Sequence, residues 1–187
     1  AIKTGMLGAA HACGIVAGFL ESHIAERGAA IPVVCDPVLK STSGADLLDP
    51  EALDLLVRRL FPRVAVLAPN LPEAETILGT KVADVEEAAA RLLETGTASV
   101  LIKGGHAEGF ECADYWTDGE QSLWLASPRL DTKDTHGTGC ILSAAIAASI
   151  ALGKPIREAI VDAKTYLNQC LKNPAGVGGG PGPMVAA

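Results

Sequence analysis

An α/β fold built on a mostly parallel sheet is what this sequence predicts, and three observations predict it. Short β-branched runs alternate with longer Ala- and Leu-rich stretches, the pattern of βαβ units. Apolar residues make up 49% of the 187 positions and charged residues 20%, with a mean hydropathy of +0.29, which is enough to bury a sizeable core. Aromatic residues are only 4%, fewer than an all-β sandwich or a base-stacking surface usually carries. The length suits one domain, and neither an internal repeat nor a dividing linker is visible.

Taken in order, Ala1 to Leu7 reads as a strand running into a Gly-containing loop. Ala9 to Arg27 reads as a helix with Gly28 as its C-cap. Ile31 to Cys35 (IPVVC) is a buried strand, and Leu39 to Leu48 is a polar, Gly-containing loop. Asp49, Pro50 and Glu51 open a helix to about Leu60: an N-cap, a proline in the first turn, then an acid. Val64 to Leu67 is a further buried strand, followed by a short helix within Asn70 to Leu78 and another over Asp84 to Glu94. Ser99 to Ile102 is a strand that enters Lys103-Gly104-Gly105-His106. Glu111 to Trp116 and Ser122 to Ala126 form a hairpin around Asp118-Gly119. Gly137 to Ala151 is an apolar helix opened by glycines, and Ile156 to Leu171 is an amphipathic one. Asn173 to Ala187, rich in Gly and Pro, reads as a loosely ordered tail after a domain spanning 1–172.

Fifteen Lys and Arg against 22 Asp and Glu give a net charge of −7, and the pI is near 5.0. With no strong basic patch, nucleic acid and anionic membranes are poor partners. No apolar run has the length of a membrane span, and AIKTGML lacks the basic and apolar blocks of a signal peptide. The cysteines (Cys13, Cys35, Cys112, Cys140, Cys170) are odd in number, scattered and without a CxxC pair. That argues against a disulfide framework or zinc knuckle and for a reducing, cytoplasmic setting.

The strongest local signal is Asp131-Thr132-Lys133-Asp134-Thr135-His136-Gly137-Thr138-Gly139-Cys140, directly before ILSAAIAASIAL. Glycines at a helix start let backbone N–H groups converge, and the helix dipole adds positive potential there. The result is an anion hole suited to a phosphoryl group in transfer. Cys140 falls in the first turn, a setting that lowers a thiol pKa. A Gly-rich helix start with a small buried Cys accounts for the same string equally well. Two commoner phosphate motifs are absent: Gly153-Lys154 runs into Pro155, and Gly137-x-Gly139-x-x-Leu142 lacks the third glycine of a dinucleotide fingerprint.

Three further groups follow strands. Asp36 directly follows IPVVC, where open α/β sheets bind ligands, although capping or turning the loop around Pro37 accounts better for it taken alone. Asn70 and Glu73, three apart after VAVLA, can both reach Mg²⁺, although the same spacing makes a capping box. Lys103 ends SVLI beside two glycines and can meet nucleotide phosphates, or be a solvated turn lysine. That several polar groups share this placement argues against accident. His136 can border the phosphate site or serve the turn, and Trp116 and Trp124 read as sheet cover.

As a set, GML (Gly5–Leu7), CDPV (Cys35–Val38), Ser43-Gly44, PNLPEAE (Pro69–Glu75), KGGH (Lys103–His106) and HGTGC (His136–Cys140) resemble the hydroxymethylpyrimidine/phosphomethylpyrimidine kinases of thiamine biosynthesis, in family order up to about residue 172. The resemblance implies a ribokinase-like three-layer αβα sandwich with a mostly parallel central sheet. It implies ATP-dependent phosphorylation of 4-amino-5-hydroxymethyl-2-methylpyrimidine and then of its monophosphate, with Mg²⁺. Cys140 is then the base near the substrate hydroxyl, and the N–H groups of Gly137, Thr138, Gly139 and Cys140 hold the transferring phosphoryl. Asp36, Asn70 and Glu73 organise Mg²⁺; Lys103, Asn70, Glu73, Thr135 and Lys164 meet ATP; Met6 and Val38 line the pyrimidine pocket. Residues 39–48 become a flap, and the protein a homodimer. Family members also carry several dozen residues before the segment matching AIKTGML, so the expectation is a partial domain without its first strands. A pyridoxal or pyridoxine kinase of the same superfamily, and a non-catalytic pyrimidine-binding or interaction domain derived by truncation, are the alternatives.

Overall fold

The computed structural model describes residues 1–27, 31–39, 47–104, 111–128 and 137–172. Among the described residues six strands form one sheet in sequence order: β1 (Ile2–Thr4), β2 (Val33–Cys35), β3 (Val66–Leu67), β4 (Val100–Ile102), β5 (Glu111–Thr117) and β6 (Ser122–Pro128). The first four pair in parallel, and β5 and β6 are antiparallel. A parallel pair needs a crossover, and the helices supply it. They are α1 (Ala10–Arg27), α2 (Pro50–Leu55), α3 (Leu71–Leu78) and α4 (Val85–Leu93), with α5 (Thr138–Ala151) and α6 (Ile156–Leu171) after the hairpin.

The strand period of two divides the core into two layers. Val33, Cys35, Leu67, Val100 and Ile102 face Cys13 and Leu20 of α1, the α2 region, and Ala74, Ala89 and Leu92 of α3 and α4. Val34, Val66, Leu101 and Trp116 face Leu142 and Ile146 of α5 and Ile160, Ala163 and Leu167 of α6. The central strands are covered on both faces, which is why they read as continuous apolar runs. The three-layer sandwich and the mostly parallel sheet are as expected.

The expected helix from Asp49 to Leu60 is divided. α2 gives way to a π-helical turn at Leu56–Leu60 and a 3₁₀ turn at Phe61–Arg63. Asp49 occupies the N-cap but makes no side-chain cap hydrogen bond. The wider π turn keeps Leu56, Leu60 and Phe61 all buried, which a regular helix ending in Pro62 would not do as readily. Asp118 makes the hairpin turn by accepting from the N–H groups of Glu120 and Gln121, with Gly119 at φ +90°. The loop expected over 39–48 falls mostly outside the described residues, as do the Gly28 cap, Ser43-Gly44, His106, Thr135, His136 and the 173–187 tail.

Candidate active site

The carboxyl ends of β2, β3 and β4 bring together residues far apart in sequence. Asp36 leaves β2 with its N–H donated to the Thr4 carbonyl, and its side chain is 2% exposed. Lys103 leaves β4 with its N–H donated to the Pro69 carbonyl, forming a parallel bridge with Asn70. From there its ammonium group lies 2.5 Å from Asp36 Oδ1 and 3.9 Å from Glu73 Oε2. Asn70 caps α3 as a full capping box: Asn70 Oδ1 accepts the Glu73 N–H, and Glu73 Oε2 accepts the Asn70 N–H, each at 2.8 Å. The capping-box reading of that spacing is therefore realised, and the same box holds the Glu73 carboxylate beside Lys103.

Burial pushes the Glu73 carboxyl above its ordinary value. Asp36 adds to the rise, while Lys103 and the N–H groups of Asn70 and Leu39 oppose it. Cys35, next to Asp36, is pushed up to about 12 by complete burial, so it stays a thiol.

The fourth contribution is the start of α5. Gly137 is its N-cap at φ +84°, a left-handed conformation that favours glycine. The helix ladder begins with the Ile141 N–H donated to the Gly137 carbonyl, so the N–H groups of Thr138, Gly139 and Cys140 have no partner within the helix. Among the described residues no side-chain cap hydrogen bond closes this helix start. Gly139 lies close against the polar cluster: a Cβ there would stand 3.1 Å from Lys103 Nζ and 3.4 Å from Asp36 Oδ2. Cys140, one residue on, is exposed.

Of the other expected site residues, Met6, two residues after β1, is 60% exposed and Val38 is half-buried beyond Asp36. Lys164 is buried, with its ammonium group 2.6 Å from Asp114 Oδ2. Two participants were missed in the sequence. Ser143, one turn after Gly139, is buried; its hydroxyl lies 2.9 Å from the Gly139 carbonyl and 3.4 Å from Asp36 Oδ2. Its signal is a hydroxyl in the otherwise apolar start of α5. Asp114 is a buried acid within β5, and its signal is a charge inside a strand otherwise shielded by Tyr115 and Trp116.

Among the described residues no group of three or more His, Cys, Asp or Glu could hold a metal ion. Asp36 and Glu73 supply two buried carboxylates facing one lysine. That donor set fits Mg²⁺ in its usual nucleotide role, where one or two carboxylates share it with phosphates and waters. Taken together, the arrangement offers a cation, two carboxylates and a helix N-terminus around one point, which is what moving a phosphoryl group requires.

Comparison with known proteins agrees. A family model described as phosphomethylpyrimidine kinase matches residues 1–185. A thiamine biosynthesis bifunctional protein of Geobacter sulfurreducens is 40% identical over 98% of this chain, which spans 37% of that protein. A hydroxymethylpyrimidine/phosphomethylpyrimidine kinase of Synechococcus elongatus is also 40% identical over 98% of the chain, which spans 69% of that relative. Among solved structures, an ADP complex of Bacillus subtilis pyridoxal kinase superposes with a TM-score of 0.85 at 32% identity, covering 100% of this chain and 69% of that one. The fold is thus that of the ribokinase-like kinases, and the chain belongs to the phosphomethylpyrimidine kinase family.

Proposed function

We propose that this protein transfers the γ-phosphoryl group of ATP to the hydroxymethyl oxygen of 4-amino-5-hydroxymethyl-2-methylpyrimidine, and then phosphorylates the resulting monophosphate to the diphosphate. The observation that carries this reading is the approach of the α5 N-terminus to the Asp36–Lys103–Glu73 cluster, with the Gly139 backbone against Lys103 Nζ. In the first step the substrate hydroxyl oxygen forms a bond to the γ-phosphorus, the bond to the β,γ-bridging oxygen breaks, and ADP leaves with its electron pair. The hydroxyl proton passes to Cys140, which stands exposed in the first turn of the helix. In the second step the attacking group is a phosphate oxygen, so little proton abstraction is needed and a sulfur base suffices.

Mg²⁺, when bound, neutralises phosphate charge and polarises the phosphoryl oxygens. Asp36 and Glu73 are the side chains that would hold it, with the Asn70 capping box fixing Glu73. Lys103, now paired to Asp36, meets the nucleotide phosphates as a point charge. The N–H groups of Thr138, Gly139 and Cys140 receive charge that develops on the transferring oxygens, an effect largest in a site shielded from water. Met6 and Val38 border the pyrimidine, Thr135 is assigned to ATP on the family resemblance alone, and Lys164 serves nucleotide binding through the fold. A homodimer and a cytoplasmic location complete the reading; the five unpaired cysteines support the second.

A second reading, phosphorylation of pyridoxal, is favoured by the structural likeness to a pyridoxal kinase. Measuring kcat/KM for the hydroxymethylpyrimidine and for pyridoxal on one preparation separates them. The proposal expects the pyrimidine to be preferred by about tenfold or more. Preference for pyridoxal transfers the assignment to the sister activity. Pyrimidine binding with no ATP-dependent product would mark a non-catalytic binding domain.

A further inference from the structure

Lys103 and Gly104 lie where the chain changes partners. Continuing the β4–β5 register past Ile102–Tyr115 sets Lys103 opposite Asp114 and Gly104 opposite Ala113. The Lys103 N–H still pairs with Pro69 on the β3 side, but the next residue departs from the β5 ladder: the Gly104 N–H goes to Asp114 Oδ1 at 2.9 Å instead of to the Ala113 carbonyl. Gly104 is pressed flat on β5, since a Cβ there would stand 1.8 Å from the Ala113 carbonyl oxygen. The second oxygen of Asp114 takes the Lys164 ammonium at 2.6 Å. Asp114 and Lys164 are 4% and 8% exposed, so this is a charge pair removed from water. Such pairs are expensive to bury, and apolar residues of similar size often stabilise a fold as well. A role in setting geometry accounts for a carboxylate with each oxygen aimed at a different partner.

We propose that Asp114 is a positioning residue for nucleotide binding. It holds the Gly104 N–H, thereby fixing the direction in which the chain leaves Lys103 and the reach of the Lys103 ammonium, while Lys164 of α6 holds Asp114 in place. The inference rests on the reading that Lys103 meets nucleotide phosphates.

The clamp and mere stability predict different orders of effect. Asp114→Ala removes the acceptor, Asp114→Asn keeps an acceptor oxygen and loses the charge pair, and Lys164→Met keeps the acceptor while stranding a buried carboxylate. The test measures two quantities on each variant: amide hydrogen exchange at Gly104 without nucleotide, and the dissociation constant for ADP with Mg²⁺. Asp114→Ala is expected to expose the Gly104 amide and weaken ADP binding about tenfold, whereas Asp114→Asn and Lys164→Met, which keep the acceptor and lose the charge pair, are each expected to weaken it about threefold, although Lys164→Met strands a buried carboxylate and lowers the melting temperature most. Affinity that follows melting temperature across the three variants overturns the proposal, as does Gly104 exchange unchanged in Asp114→Ala. Lys103→Ala, run in parallel, separates the two claims. If it weakens ADP binding and Asp114→Ala does not, the clamp alone fails; if it leaves ADP binding unchanged, the reading of Lys103 fails.

Discussion

Cys140 and Cys35 place the same thiol in opposite settings. Cys35 is wholly buried between β1 and β3, and its pKa is pushed up to about 12. Cys140 stands exposed at the opening of α5 among N–H groups with no partner in the helix. Iodoacetamide is therefore expected to alkylate Cys140 well before Cys35, Cys13 or Cys170, read by peptide mass, and activity to fall in step with that modification. Cys140→Ala is expected to lower kcat about tenfold or more while ADP binding holds within about twofold. Unchanged turnover in that variant removes Cys140 from the proton-transfer step. Glu73 gives a prediction of a different kind. Its raised pKa means that the folded protein binds a proton more readily than the unfolded chain between the ordinary carboxylate value and the raised one. Stability contributed by this group is thus present at low pH and is lost as pH rises through that window. Glu73→Gln keeps an oxygen for the Asn70 N–H and sheds the penalty. Its melting temperature at pH 7 should equal or exceed that of the unmodified protein, with the gap closing on acidification. A lower value at pH 7 contradicts this account.

At the scale of elements, two glycines that look alike in sequence differ in what they meet. A methyl group on Gly104 meets the backbone of β5, whereas one on Gly139 meets the far end of the flexible Lys103 side chain. Gly104→Ala is therefore expected to destabilise by about 3 kcal/mol or more. Gly139→Ala should change stability by less than about 1 kcal/mol but lower turnover about tenfold by displacing Lys103. Denaturant unfolding and steady-state kinetics on both variants check the contrast; comparable stability losses would contradict it. These elements also show what a sequence discloses. Asp36 and Lys103 could be read because a polar residue at the end of an apolar run marks a strand's carboxyl end. The α5 opening could be read because glycines stand directly before an apolar helix. Ser143 and Asp114 escaped because their roles depend on partners in other elements: Asp36 on β2 for one, Gly104 and Lys164 for the other. The π turn after α2 escaped because local propensity favours a regular helix at LVRRL, and the burial of Leu56, Leu60 and Phe61 together overrides it.

The whole molecule assembles its site from one topological rule. Four parallel strands in sequence order send their carboxyl ends to one edge, and the hairpin returns the chain so that α5 arrives on the opposite face with its N-terminus toward that edge. The crevice there is the position at which open α/β sheets bind ligands. Family membership and the fold follow from the comparisons, whereas the substrate and the two successive transfers are the claim that needs a direct test. The decisive measurement is a mass-resolved time course with intact protein, ATP, Mg²⁺ and 4-amino-5-hydroxymethyl-2-methylpyrimidine. The account predicts that the monophosphate accumulates first and the diphosphate follows, with ADP matching the sum of phosphoryl groups transferred. Folded protein that binds ADP yet gives neither product would contradict it.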